Sequence, residues 1–386
     1  MLSVAVSSPL SRANTIYSLM HLQIYPLQQL IEKLLFSWAS GIEHNKGKKS
    51  NYFNSEALMF ELVMSIATYA LSESNIGCDS CINGEFPQAS RQFSKAAGAF
   101  KYLGDELLPS WMAKSQQHAK MDKDALAETR VGVCVAFTSL HMAMAQQMAV
   151  GTILVKPGVP NYALVGKLCL GTAEECESFV NTLRSKSAVH MSRMDPSFLT
   201  LITFEINVQR ALSLYFLARS LWTSGEHGVA ISALSEATVA MRTRTSPTGR
   251  GLPEIEPNGP LASLTSEVIE FRRHIATLLN SWEKDNSLVY FEKVPPSVPA
   301  NNALKAIQLK KVAEFCLEMK DPLPFSVPGI GVDDTACTLS ATGGNTESDA
   351  PPSYDQAMIN DSRLQPARER SDSDLARELH AKLNSE

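Results

Sequence analysis

The chain has 386 residues, of which 44% are hydrophobic, enough to bury a large core in one big domain or two ordinary ones. Its formal net charge of −5 gives no global attraction to nucleic acid and argues against a dedicated nucleic-acid binder. Seven scattered cysteines, an odd number without a framework, fit a reducing compartment rather than a disulfide-stapled secreted domain.

Helical signals begin at Pro26, a residue suited to a first helical turn, and Leu27, Leu30, Ile31, Leu34, Leu35 and Trp38 follow at helical spacing. After a polar break, GIEHNKGKKSN, the segment SEALMFELVMSIATYALSES is apolar almost all round. It reads as a deeply buried helix with Ser55 as its cap. Residues 87–103 carry Ala89, Phe93, Ala96, Ala97, Phe100 and Leu103 on one face, and Gly104 is the expected stop. Residues 124–154 form a long Ala- and Met-rich helix, and KPGVP separates it from a helix over 161–184.

Asp195-Pro196 is a strong start signal, a cap followed by proline in the first turn, for a helix running to about Ser224. SGEHG turns the chain into a helix over Val229–Met241, and 243–260 is a loop by composition. Leu264, Val268, Phe271, Ile275, Leu278 and Trp282 step by four and three in a coiled-coil-like seam. Residues 286–299 read as an extended connector and 300–318 as a last helix. Strand alternation is almost absent. The chain is therefore all-α, with room for one small extended element near the N-terminus. Paired helices of this kind can stack in a solenoid, although no repeat of fixed period is visible. From 321 to 375 Pro, Gly, Ser, Thr and Asp dominate, the composition of a disordered tail.

Chemical motifs are scarce. GIEHNKGKK has five residues between its glycines, no Ser or Thr directly after Lys48 and no preceding strand, so it reads as a basic surface loop and not as a phosphate loop. Cys78-Asp79-Ser80-Cys81 lacks the second pair that a zinc site needs and the βαβ setting of a redox motif, leaving two cysteines at a helix end. The eight histidines, His141 and His274 among them, stand in no triad or ligand context, and no nucleophile elbow occurs. These residues imply no enzyme, no metal and no cofactor. The apolar runs, such as Val131–Phe137, fall short of a membrane span, and MLSVAVSSPL has no basic residue before its apolar run, against a secretory signal. LNSE is no prenylation box. A soluble cytoplasmic protein is the expectation.

Two tail segments point to partners. Pro351-Pro352-Ser353-Tyr354 is a PPxY pattern, in which the prolines pre-form an extended helix for the aromatic groove of a WW domain and the tyrosine fills a second slot; the alternative is a linker that happens to hold it. Leu375, Leu379 and Leu383 place one narrow apolar stripe on a charged C-terminal stretch, too narrow to be stable alone.

Several segments, taken in order from about 30 to 325, resemble a known family: LFSWASG, NYFNSEALMFELVMSIATYALSES, FPQASRQFSKAAGAFKYL with its AAGAF centre, SLHMAMAQQMAV, NYALVGKLCLGTAEECESF, LARSLWTSGEHGVAISAL and KDNSLVYFEKVPP. The set is similar to the BRO domain family, the domain of Alix and related endosomal, ESCRT-associated proteins. The resemblance implies a curved helical solenoid with tetratricopeptide-like hairpins over 1–325 and a separate tail over 326–386. It implies a non-enzymatic adaptor whose concave side binds the C-terminal helix of an ESCRT-III filament subunit in the multivesicular body pathway. A cytoplasmic protein recruited to endosomes through its partners follows from it, with a rhophilin-like signalling scaffold as the alternative. The family's binding patch falls on Leu164 and Leu168, on Ala149 (with Val150 adjacent) where an aromatic is usual, on Asn83, and on Leu309. Its connector tyrosine, a phosphorylation site, falls on Tyr290. Leu164 and Leu168 lie one turn apart on a shared helix face, so core packing is the competing explanation of the pair. The tail PPxY would add a WW-domain partner, such as a ubiquitin ligase.

Overall fold

The computed structural model describes residues 8–21, 35–44, 52–114, 125–243, 251–256 and 258–318. Helices α1 (Pro9–His21), α2 (Leu58–Ile82), α3 (Phe86–Tyr102), α4 (Leu108–Lys114), α5 (Val131–Leu154), α6 (Tyr162–Lys186), α7 (Ala188–Met191), α8 (Pro196–Ser224), α9 (His227–Ala240) and α10 (Leu264–Asp285) make up the unit. A two-stranded antiparallel ribbon, β1 (Phe36–Trp38) with β2 (Phe53–Ser55), is the one sheet among the described residues, in the register Phe36–Ser55 and Trp38–Phe53. These residues lie in a single compact unit, Met1–Leu323. The all-α expectation and the small extended element near the N-terminus both hold.

Packing is serial. In turn α2 packs on α3, α3 on α5, α5 on α6, α6 on α8, α8 on α9 and α9 on α10. Local signals explain the ends. Asp195 accepts a hydrogen bond from the Ser197 amide (2.7 Å), Pro196 opens α8, and Gly225 closes it in the left-handed region at φ 87°. Asn161 caps α6 by accepting from the Leu164 amide (3.0 Å). By length and composition α5 would cross a membrane, but 67% of that stretch is buried in the fold, as suits a core helix hydrophobic all round.

The helix expected from 124 begins at Val131 after a 3-10 turn at Ala127–Thr129, and the connector expected to be extended from 286 opens with a π-helical turn, Asn286–Tyr290. Four larger expectations change. Trp38 lies in β1, not on a helix; its indole donates to the buried Glu61 carboxylate (2.5 Å), which ties the ribbon to α2, while residues 22–34 fall outside the described set. Ser55 ends β2, its hydroxyl accepting from the Ala57 amide (3.2 Å), and α2 begins three residues later. Gly104 stops nothing. The chain passes through a π-helical turn at Leu103–Leu107 straight into α4, and a Cβ at Gly104 would come within 3.0 Å of Val135, so the glycine serves close packing against α5.

The largest change is at 300–318, which is not helical. Residues 291–318 form a strap that recrosses the stack. Its backbone or side chains bond to Gly228 in α9, Lys167 and Gly171 in α6, Ser94 in α3 and Asn14 in α1. Alternate residues turn inward, Ile307 and Leu309 onto one apolar cluster and Phe315 and Leu317 onto another, the period of an extended chain. Phe315 sits between Tyr69 (centroids 5.7 Å) and Tyr102 (5.3 Å). Burial, with the Glu73 carboxylate beside it, pushes the Tyr69 hydroxyl up to about 12.

Candidate partner-binding site

Where the strap crosses α5 and α6, one apolar cluster gathers Val150, Val165, Leu168, Cys169 and Phe216, with Ile153, Tyr162, Leu164, Leu212, Ile307 and Leu309 half-buried against it. Four elements thus meet: the end of α5, the first turns of α6, the middle of α8 and the strap. Leu164 and Leu309, both expected in a binding patch, are partly open to solvent here. Leu168 is 0% exposed and Ala149 and Val150 are 6% and 7% exposed. The expectation for Leu168 as a contact is therefore corrected. It shares a helix face with Leu164, but one turn further along α6 that face is roofed, with the strap pinned to the carbonyls of Lys167 and Gly171. Leu168 and Val150 form the floor of the patch, and Leu164 and Leu309 its open edge, while Ala149 is buried outside the cluster.

The surroundings extend the patch. Leu154 (43%), Val155 (66%) and Val159 (81%) are exposed where α5 ends, and a cavity of about 350 Å³ lined by Val159, Pro160, Tyr162, Ser220, Thr223 and Ser224 lies beside them. Phe86 at the start of α3 packs over Gly151 (3.3 Å to a Cβ placed there). Asn83, exposed, caps the end of α2 three residues before Phe86. The charges flanking Leu164, Ile307 and Leu309 in sequence are all lysines, Lys167, Lys305, Lys310 and Lys311, in a chain that is acidic overall.

Tyr290 lies elsewhere, at the end of the π-helical turn Asn286–Tyr290 that follows α10. It is 42% exposed, stacks on His227 (3.6 Å) and meets Trp222 edge-on. The adjacent Glu292 carboxylate accepts from the Gly228 amide (2.6 Å) and lies 2.8 Å from His227 Nδ1, and these contacts hold it below the usual carboxylate range. Pro351, Pro352, Tyr354 and the Leu375–Leu383 stripe lie outside the described residues. Cys78 and Cys81 are unpaired in the last turns of α2; burial, with Cys81 and Asp79 nearby, raises the Cys78 thiol, the opposite of an activated nucleophile. No cluster of metal-ligating side chains occurs among the described residues.

Residues 18–326 match the model of the BRO1-like domain. The chain belongs to the BRO1 domain family. Among curated relatives, the BRO1 domain-containing protein BROX of Xenopus tropicalis is 23% identical over 301 residues, covering 76% of this chain and 66% of that protein. Human BROX is 23% identical over 275 residues, covering 69% and 59%. The match thus spans just under two thirds of the length of these relatives. Among solved structures, an ALIX BRO1 complex with CHMP4C superposes with a TM-score of 0.61 at 17% identity, covering 80% of this chain and 78% of the other. A structure described as the basis for endosomal targeting by the Bro1 domain gives 0.61 at 18% identity, covering 79% and 76%. The serial helical stack is therefore the BRO1 fold.

Sequence reasoning missed Ile153, Tyr162 and Ile307 as members of this apolar cluster. Ile307 was legible in principle, because Ile307 and Leu309 alternate with Gln308 and Lys310 in the two-residue period of an extended chain.

Proposed function

We propose that this BRO1 protein is a non-enzymatic adaptor that receives the C-terminal amphipathic helix of an ESCRT-III subunit along the open edge formed by Leu164 and Leu309. The observation that carries the reading is the placement of these two leucines, from α6 and the strap, against one apolar cluster, with lysines close to both in sequence. A helix presenting apolar anchors at helical spacing fits such an edge, and acidic residues on its flanks would meet the lysines. The ALIX BRO1–CHMP4C complex supports this class of partner. In this reading the protein works in endosomal sorting and reaches endosomes through its partners, and Pro351, Pro352 and Tyr354 offer a second contact to a WW-domain protein.

Titration of the full chain with a C-terminal CHMP4C peptide tests the reading. Burying a leucine side chain is worth about 1.5–3 kcal/mol, so Leu164→Asp should weaken binding roughly ten- to a hundredfold while helicity stays intact. Unchanged affinity in a folded Leu164→Asp protein would remove Leu164 from the site.

A further inference from the structure

Gln146 is 0% exposed on α5, and its side-chain hydrogen bonds all reach other elements. Its amide nitrogen donates to the Leu168 carbonyl (2.9 Å) and to the Ile307 carbonyl (3.0 Å), and its amide oxygen accepts from the Leu309 amide (2.9 Å). One side chain thus bridges three elements and reads the strap backbone on both sides of Gln308. The neighbouring contacts fix the same register: the Ile307 amide donates to the Lys167 carbonyl (3.3 Å), and Gln308 Nε2 donates to the Gly171 carbonyl (2.9 Å). Gly171 makes the room. A Cβ there would lie 2.5 Å from both Gln146 Nε2 and the Ile307 oxygen.

Only an amide suits this place. The site needs donors for two carbonyls and an acceptor for one N–H. A glutamate could only accept, and an apolar side chain would leave all three strap and helix groups without this partner. Leu309 and Ile307 have no helix of their own to hold them, so their position over the cluster depends on these backbone bonds.

We infer that Gln146 is a positioning residue for the partner helix: without touching the partner, it sets where Leu309 stands relative to Leu164 and so the shape of the binding edge. This rests on the groove reading above.

The test uses the full chain and a C-terminal CHMP4C peptide. Gln146→Met keeps the side-chain length and removes all three bonds. It should lower affinity about tenfold, roughly the size of one apolar contact, and speed hydrogen exchange at the Leu309 amide. Leu309→Ala should cost a similar factor, and the double variant should bind no worse than Leu309→Ala alone, because the two act through one contact. Leu234→Ala, in the α9 core, controls for general destabilisation: it should lower the melting temperature and leave affinity unchanged. Wild-type affinity in Gln146→Met, or full additivity with Leu309→Ala, overturns the inference, as does a matching affinity loss in the Leu234→Ala control. If Gln146→Met does not fold, Gly171→Ala, which pushes the strap at the Ile307 carbonyl, should give the same non-additive pattern with Leu309→Ala, and additivity there counts against the inference equally. Failure of the groove reading has its own signature, wild-type binding by both Leu164→Asp and Leu309→Ala.

Discussion

Replacing Gly98 with alanine should destabilise this protein, although the same change in an exposed helix interior stabilises by about 1 kcal/mol. Gly98 lies mid-helix in α3, where the strap passes directly over it. A Cβ there would sit closer to the Ala313 carbonyl oxygen than a real Cβ approaches, and 3.2 Å from its carbon. The obstacle is backbone on both sides, so no rotamer change relieves it and the strap must lift. Lifting breaks the bond from the Ala313 amide to the Ser94 carbonyl (3.2 Å), a loss of about 1 kcal/mol. It also draws Phe315 out from between Tyr69 and Tyr102, at about 1.5–3 kcal/mol if the ring is largely released. Against a helical gain of about 1 kcal/mol, the net is roughly 2 kcal/mol of destabilisation, a fall of several degrees in melting temperature. Thermal unfolding followed by circular dichroism reads this directly. A Gly98→Ala protein as stable as wild type, or more so, would show that the strap does not bind tightly at α3.

Further consequences separate floor from edge and buried from solvated groups. Leu168→Asp places a carboxylate among Val150, Val165, Cys169 and Phe216; the lost packing alone is worth about 2–5 kcal/mol, so this variant should unfold or melt far earlier, whereas half-exposed Leu164→Asp should lose about 1 kcal/mol, as judged by melting curves. His141 is stacked on Phe100 (5.2 Å) and held neutral by burial, its pKa lowered to about 4 from an ordinary 6.5. The unfolded chain therefore takes up a proton first, and stability contributed by neutral His141, on the order of 3 kcal/mol, should be intact above pH 6.5 and decline as pH falls towards 4. His141→Phe should flatten that acid limb in a melting-temperature series against pH. Glu205, which accepts from Gln147 and Gln209 (2.8 Å each), has the opposite sign: burial raises its pKa, so it costs stability as pH rises through its folded value, and Glu205→Gln should raise the melting temperature at pH 8 more than at pH 4. In the tail, Tyr354→Ala should abolish capture of the full chain by a purified PPxY-binding WW domain.

Most of the helices were legible because their ends carry local chemistry. Asp195-Pro196 and the SGEHG turn act within a turn of themselves, and local rules read them correctly; Asn161, expected inside its helix, caps it in the same local way. The errors fell where tertiary contact decides. Residues 300–318 hold enough apolar residues for a helix, but Ile307 with Leu309 and Phe315 with Leu317 carry the two-residue period, and helices distant in sequence supply the hydrogen bonds that replace a helical ladder. Gly104 reads as a stop, yet its partner is Val135 in α5, which no local rule can see. The same holds for the site. Helical spacing placed Leu164 and Leu168 on one face, and packing from α5, α8 and the strap separates the open residue from the sealed one. Gln146 gives no local signal at all, because all three of its partners lie on other elements.

The most direct test of the central claim is hydrogen–deuterium exchange of the full chain with and without a saturating C-terminal CHMP4C peptide. The account predicts slower exchange along the strap over 304–311 and in the first turns of α6. Saturated binding with protection confined to other helices, and none at the strap or α6, would contradict it.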